Sequence, residues 1–281
     1  MKPLIINFVP TGMIPSKKMT PYVPVSCSEI VEQVAEASEL GITLVHLHAR
    51  DEAGLPTWKA SVYEKIFSGI RKYCPDLVIC ASLSGRNASE FEKRSEVLQL
   101  LPDMGSLTLG SLNFIKTASL NSPEMIERLA GKMLELGITP ELECFDSGMV
   151  HYSNFLISKG LLKPPYYYNL IVGNIFSSQL NPIHIGSMIA DLPTDSHWSL
   201  GGLGAQQLKA NNLGILLGGG VRVGIEDNIW YDSDRTQLAT NLALLKRIHN
   251  LAKIYGRAIM TSQEFGALGF YTKRTTAVHK A

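Results

Sequence analysis

His46 and His48, in the stretch LVHLHARDEAG, stand two residues apart. On a β-strand that spacing points both imidazoles to one side. Two neutral imidazoles on one side make half of a divalent-metal site. The same spacing also suits two packed or solvated histidines; Arg50 and Asp51 directly after the pair favour the metal. A second cluster, GGGVRVGIEDN, places Arg222 inside an apolar run and Glu226, Asp227 and Asn228 at its end. A charged side chain within a strand is costly to bury without a partner. The adjacent carboxylates of Glu226 and Asp227 face different directions. One can therefore join the histidines on a metal while the other pairs with Arg222 or serves as a base. An ordinary acidic loop with a structurally paired Arg222 is the plainer alternative. In PELECFDSGM, Glu141 and Glu143 alternate and share a face. If that face is an interior, at least one must meet a metal, a base or a substrate cation, unless both pair with nearby lysines or arginines.

Weaker signals are the hydroxyls of Ser82 and Ser84 with Arg86 in ASLSGRN, and those of Ser106 and Thr108 in MGSLTLGSLNF. Hydroxyls at strand ends suit substrate hydrogen bonding. Gly201, Gly202 and Gly204 could admit a phosphate, although three glycines in a short run are nonspecific.

These residues need a scaffold that gathers distant parts of the chain. Short apolar runs alternate with amphipathic stretches throughout. Strands are expected at Leu4–Phe8, Ile42–His48, Leu77–Ser82, Met104–Leu109, Ile138–Phe145, Tyr167–Val172, Trp198–Leu200 and Gly220–Ile225. Helices are expected between them: Ser28–Leu40, Val62–Tyr73, Ala88–Leu100, one opened by Ser122-Pro123-Glu124 and closed by Gly137, Met149–Ser158, Ile183–Ile189, Gln206–Asn211 and a long Thr236–Tyr255. Alternating strands and helices imply a parallel sheet. Eight such units in 281 residues favour an α/β fold of the closed (β/α)₈ TIM-barrel type, a single catalytic domain over residues 1–281. No GxGxxG follows the first strand, which weakens an open doubly wound sheet. In a barrel the active site lies at the C-terminal ends of the strands, where His46, His48, Glu226 and Asp227 would sit. The polar last ten residues, TKRTTAVHKA, lack periodicity and read as a tail or an arm toward a neighbouring subunit.

Hydrophobic residues make up 45 % and charged residues 18 %, so a sizeable core is available. A net charge of +1 without a basic block argues against nucleic acid as a partner. Cys27, Cys74, Cys80 and Cys144 form no CxxC pair, which argues against a disulfide framework or a structural zinc site. No stretch approaches a membrane helix in length. The opening MKPLIINFVPTG reads as a first strand rather than a signal peptide. A cytoplasmic protein is expected.

Taken together, LVHLHARDEAGLP, PDMGSLTLGSLNF, PELECFDSGM and VRVGIEDNIWY resemble the β-keto acid cleavage enzyme family, also described as 3-keto-5-aminohexanoate cleavage enzymes. The resemblance runs from the first strand to the last helix. It implies a (β/α)₈ barrel with a catalytic divalent ion, usually zinc. It also implies conversion of a β-keto acid and acetyl-CoA into acetoacetate and a new acyl-CoA. The zinc ligands would be His46, His48 and Glu226, leaving a position open for substrate oxygens. Asp227, helped by Arg222, would be the base. Ser82, Ser106 and Glu143 match positions that hold substrate; some members have Thr where Ser106 stands. Glu143 would suit a cationic substrate group. Members resemble homo-oligomers, often tetramers. The chain departs from the family after strand six, where Gly173-Asn174-Ile175-Phe176-Ser177 replaces a glycine-rich stretch. It departs again after strand seven, where Gly202-Leu203-Gly204-Ala205 replaces a GxGR-like pattern.

Two other readings compete. A metal-dependent barrel hydrolase acting on a small carboxylate or amide also carries HxH at a strand end. Its pair usually lies on strand one, with further histidines on strands five and six. Here the pair is on strand two, and His151 and His197 lie outside those places. A barrel that only binds its ligand would have no need of Glu226, Asp227 and Arg222 together.

Overall fold

Eight parallel strands close into a barrel in the computed structural model, which describes residues 2–86, 88–273 and 275. They are β1 (Ile6–Phe8), β2 (Leu44–Leu47), β3 (Val78–Ala81), β4 (Met104–Thr108), β5 (Thr139–Cys144), β6 (Tyr166–Val172), β7 (Ser196–Gly202) and β8 (Gly220–Val223). Each strand pairs with its neighbours in chain order, and β8 returns to β1. This is the expected (β/α)₈ architecture.

The helices form where capping residues open them. Ser26 caps α1 (Cys27–Leu40) in a capping box with Glu29. After α2 (Ala60–Tyr73) and the short α3 (Phe91–Ser95), α4 (Pro123–Leu136) has Ser122 as its cap and Pro at its first position. Gly137 ends α4 in the left-handed conformation. Asp146 caps α5 (Ser147–Ser158), and Asn181 caps α6 (Pro182–Ala190). α7 (Gln207–Leu216) and α8 (Asn241–Ile254) complete the ring.

Two expected helices begin later than the periodicity suggests. α8 starts at Asn241 because the Asp232 carboxylate accepts from the amides of Thr236 and Gln237, which folds residues 232–237 into a turn. Thr240 then caps the helix. The third helix begins at Phe91 rather than Ala88 and tightens to a 3₁₀ turn at Glu96–Leu100. The residues before it carry Ser84 and Arg86 along the barrel mouth.

The sequence suggests no element after Tyr255, yet the chain closes the barrel floor there. Arg257 donates to the carbonyls of Lys2, Ile215 and Gly219. A short helix, α9 (Ser262–Phe265), and the turn after it insert Phe265 and Phe270 beneath the strands. Their rings stack at 4.1 Å, and both meet Tyr167 of β6 edge-on. With Ile5, Leu44, Val78 and Met104 they fill the lower interior. Thr272 and Thr275 donate to the Asp103 carboxylate. The remainder of the expected C-terminal tail lies outside the described residues. Among the described residues, no helix is long and apolar enough to cross a membrane.

Candidate active site

Above the apolar floor the barrel interior becomes polar. Asn7 (β1), His46 (β2), Cys80 (β3), Glu141 (β5) and Asn169 (β6) all point inward and are fully or almost fully buried. Glu141 is the hub. One carboxylate oxygen accepts from His46 Nδ1 at 2.5 Å and Cys80 Sγ at 3.1 Å; the other accepts from the amides of Asn7 and Asn169, each at 2.6 Å. Its four acceptor positions are thus filled. Burial opposes its ionisation, but the His46 imidazole outweighs that and holds Glu141 below the ordinary carboxylate range. The same pairing works in reverse on His46. Burial disfavours its cation, while Glu141 and Glu226 outweigh that penalty and raise it above the ordinary imidazole range.

With Nδ1 donating to Glu141, His46 turns Nε2 toward the barrel mouth, 3.2 Å from His48 Nε2. His48 is the residue immediately after β2 and is buried, which lowers its basicity. Glu226, from the turn that follows β8, brings Oε1 to 3.3 Å from His48 Nε2 and 4.0 Å from His46 Nε2. The three ligand atoms lie within 4.8 Å of one another. Two facing imidazole nitrogens and a carboxylate are a donor set suited to a divalent ion. Glu226 Oε2 is buried without a hydrogen-bond partner, a position a cation would satisfy. The residues present therefore fit a metal. Gly12, with φ +66°, makes this approach possible, since a Cβ there would stand 2.5 Å from Glu226 Cγ. Arg50 secures that loop by donating to the carbonyls of Gly12 and Pro15.

Arg222, in β8, is buried and carries the acidic groups. It donates from Nε to Asp227 at 2.9 Å, from one terminal nitrogen to Glu226 at 2.6 Å, and from the other to Glu143 at 3.4 Å. Burial works against its charge, but Asp227, Glu226 and Glu143 more than compensate, raising it well above the ordinary range. Asp227 keeps a raised pKa. Burial lifts it and Glu226 repels its charge, against the opposing pull of Arg222. Sequence reasoning sends Glu226 and Asp227 in different directions; the structure does so while tying both to one guanidinium.

A cavity of about 240 Å³ opens above these groups at the C-terminal ends of the strands. His46, His48, Glu226, Asp227, Arg222, Glu143 and Ser82 line it. Ser106 sits behind the wall, where its hydroxyl accepts from the Leu83 amide at 3.0 Å. Thr108, two residues further along the same face, reaches the cavity and donates to Glu143 at 2.7 Å. Glu143 is thus already paired by Arg222 and Thr108. Gly201 and Gly202, expected in the loop after the seventh strand, are the last two residues of β7, and the two amides that follow are already bonded: Leu203 N donates to Val172 O and Gly204 N to Asp227 O. Gly201 instead leaves room for the Arg222 side chain. Sequence reasoning missed Asn7, Cys80 and Asn169. The signal was present for Asn7 and Asn169, polar residues at inward strand positions where an apolar residue would be the default; Cys80 reads in sequence as an ordinary small core residue.

The description beta-keto acid cleavage enzyme belongs to the family model that matches residues 3–268. A 3-keto-5-aminohexanoate cleavage enzyme of Fusobacterium nucleatum is 31 % identical over 265 residues, covering 94 % of this chain and 96 % of that one. A 3-oxoadipate:acetyl-CoA acetyltransferase of Cupriavidus necator is 32 % identical over 270 residues, covering 95 % and 94 %. A 3-dehydrocarnitine:acetyl-CoA trimethylamine transferase of Rhizobium meliloti is 27 % identical over 294 residues, covering 96 % and 97 %. Among solved structures, ObcA in its apo form superposes with a TM-score of 0.79 at 19 % identity, which shows a shared fold. That match covers 90 % of this chain, which spans 66 % of the ObcA chain. With a whole-length family match and the same barrel, the chain belongs to the β-keto acid cleavage enzyme family.

Proposed function

We propose that the protein is a zinc-dependent acyltransferase, its single catalytic barrel domain spanning residues 1–281. It converts a β-keto acid and acetyl-CoA into acetoacetate and a new acyl-CoA. The observation that carries this reading is a three-donor metal set beside Asp227 in one cavity, with Arg222 bonded to both Glu226 and Asp227. The names of three relatives support it, because each pairs acetyl-CoA with a different 3-oxo compound: 3-oxoadipate, 3-dehydrocarnitine and 3,5-dioxohexanoate.

His46, His48 and Glu226 would hold the ion, and Glu141 behind His46 fixes the tautomer that presents Nε2. When bound, the ion supplies Lewis acidity to the ketone and carboxylate oxygens of the substrate. Asp227 removes a proton from the carbon between ketone and carboxylate. Its raised pKa strengthens it as a base, and Arg222 orients it. The resulting carbanion equivalent attacks the acetyl thioester carbonyl and forms a carbon–carbon bond. The CoA thiolate passes to the original ketone carbon, and the original carbon–carbon bond breaks. Acetoacetate leaves after Asp227 returns the proton, and the remainder leaves as its CoA thioester. Ser82 and Thr108 line the space where the carboxylate and ketone must lie, and Ser106 supports that wall through Leu83.

Zinc is the expected ion because two imidazoles and one carboxylate suit it. A cytoplasmic homo-oligomer, a tetramer by analogy with the family, is part of the same reading. Exposed Ile183, Leu216 and Ile254 on the outer helices are compatible with contacts between subunits.

The test incubates zinc-loaded protein with a panel of β-keto acids and acetyl-CoA and reads acetoacetate and new acyl-CoA. Products that form without acetyl-CoA would instead indicate a hydrolase. Glu226→Gln is expected to lose metal and activity together. Asp227→Asn is expected to keep metal and lose about 10²- to 10⁴-fold in turnover; a near-normal rate would remove Asp227 from the role of base.

A further inference from the structure

The cavity holds a second guanidinium, and among the described residues no carboxylate claims it. Arg86 lies in the turn after β3, with Cζ 3.4 Å from the centroid of the Phe114 ring. At that separation the guanidinium must lie flat on the ring, because an edge-on group would overlap the ring carbons. Its N–H groups therefore project sideways, in the plane of the stack. Among the described residues no carboxylate lies within ion-pairing distance of Arg86, whereas Arg222 pairs with three. Glu226, Glu143 and Asp227 act on Arg86 only through space, and burial lowers its pKa.

The shelf is built rather than incidental. Arg94, itself buried, donates to Leu83 O at 2.8 Å, Leu120 O at 3.1 Å and the Asn121 side chain at 2.7 Å. These bonds join the turn carrying Arg86 to the loop carrying Phe114. Phe114 in turn packs edge-on against Phe145. Ser84 and Ser119 bring hydroxyls to the same part of the cavity. A partly buried guanidinium whose side chain meets no acceptor among the described residues is a carboxylate receptor. Glu143, which the sequence suggests for a cationic substrate group, is already engaged by Arg222 and Thr108, one bond on each carboxylate oxygen.

We propose that Arg86, stacked on Phe114, anchors a second carboxylate at the far end of the keto acid, so that the substrate class is a short β-keto dicarboxylic acid. This rests on the transferase reading above. The relatives' names include both an amino-substituted acid and 3-oxoadipate, so they do not choose between a cationic and an anionic terminus; Arg86 does. The cavity of about 240 Å³ is below the usual range for drug-sized ligands, which suits a short diacid better than the phosphates of CoA.

The experiment measures kcat/KM with acetyl-CoA for three acids: 3-oxoadipate, 3-oxohexanoate and 5-amino-3-oxohexanoate. The native enzyme is expected to prefer the diacid by about tenfold or more, the scale of a charge-assisted contact. Arg86→Gln should remove most of that preference, chiefly through KM for the diacid, and Arg86→Lys should restore part of it. Preference for the neutral or amino acid overturns the proposal. So does an Arg86→Gln defect that appears in KM for acetyl-CoA and not in KM for the diacid. Silence with these three acids and turnover of another β-keto acid overturns the proposal; if no β-keto acid of the wider panel yields an acyl-CoA, the transferase reading is what fails. Calorimetric binding of the diacid then still decides: lost in Arg86→Gln if Arg86 is the anchor, unchanged if it is not.

Discussion

Replacing Glu141 by Gln changes one atom pair and puts four buried bonds in conflict. The carboxylate accepts from His46, Cys80, Asn7 and Asn169, and a glutamine can accept from only one side. If the amide oxygen faces His46, its NH₂ group meets the amides of Asn7 and Asn169 donor to donor. One or two buried donors are then orphaned, at a cost of about 2–4 kcal/mol in total. If the amide is flipped, the NH₂ faces His46 Nδ1 and forces the proton onto Nε2. That nitrogen then has no lone pair for an ion. Either arrangement should weaken zinc binding by about 10- to 100-fold, the usual effect of losing a carboxylate behind a metal-binding histidine. The assay is zinc titration against a competing chelator, with thermal melting of the metal-free protein alongside. An Asn7 or Asn169 flip could relieve some of the stability loss, but it leaves the affinity effect in place because His46 still lacks its carboxylate. Native zinc affinity in Glu141→Gln would refute the claim that the negative charge of Glu141 behind His46 strengthens it as a metal ligand.

Three more outcomes follow from named contacts. Gly12→Ala places a methyl 2.5 Å from Glu226 Cγ at a residue with φ +66°, so it should cost about 1 kcal/mol in backbone strain and displace a metal ligand; unchanged zinc affinity would show that the loop after β1 yields freely. Phe265→Ala empties a fully buried site stacked on Phe270, with an expected loss of about 3–5 kcal/mol by urea unfolding. Because the floor lies on the opposite end of the barrel from the cavity, KM for the keto acid should change little. Glu29 is opposed by slight burial, but Lys17 at 2.6 Å and the amides of Ser26 and Val25 outweigh it and hold it at about 2. Its folded pKa lies below the unfolded one, so its contribution is full above about pH 4.3 and fades as pH falls toward about 2. The pair is half-exposed and screened by solvent, so Glu29→Gln should cost about 0.5–1 kcal/mol at pH 7 and almost nothing at pH 2. Denaturation midpoints across that range check it; a difference independent of pH would mean the carboxylate charge is not what matters.

The alternation of apolar runs with amphipathic segments specified the barrel, because strand and helix periods are local properties of the chain. The HxH spacing put two imidazoles on one side of β2, and Ser122-Pro123-Glu124 marked the start of α4. What local pattern could not supply was partnership across the interior. Glu141 and Glu143 look alike in sequence, two residues apart on one face. Closure of the barrel puts one against His46 and the other against Arg222 and Thr108. Ser106 and Thr108 likewise share a face, and only the depth of each along the strand decides that Thr108 meets the cavity. The floor built from Phe265 and Phe270 was invisible because its segment is too short to show a period. Arg86 stood in the sequence as one cation in a polar turn. Its stacking on Phe114, with no acid beside it among the described residues, came only when the loops after β3 and β4 were brought together by Arg94. Charges far apart in the chain acquire their roles from distances, and those distances are set by the closed sheet.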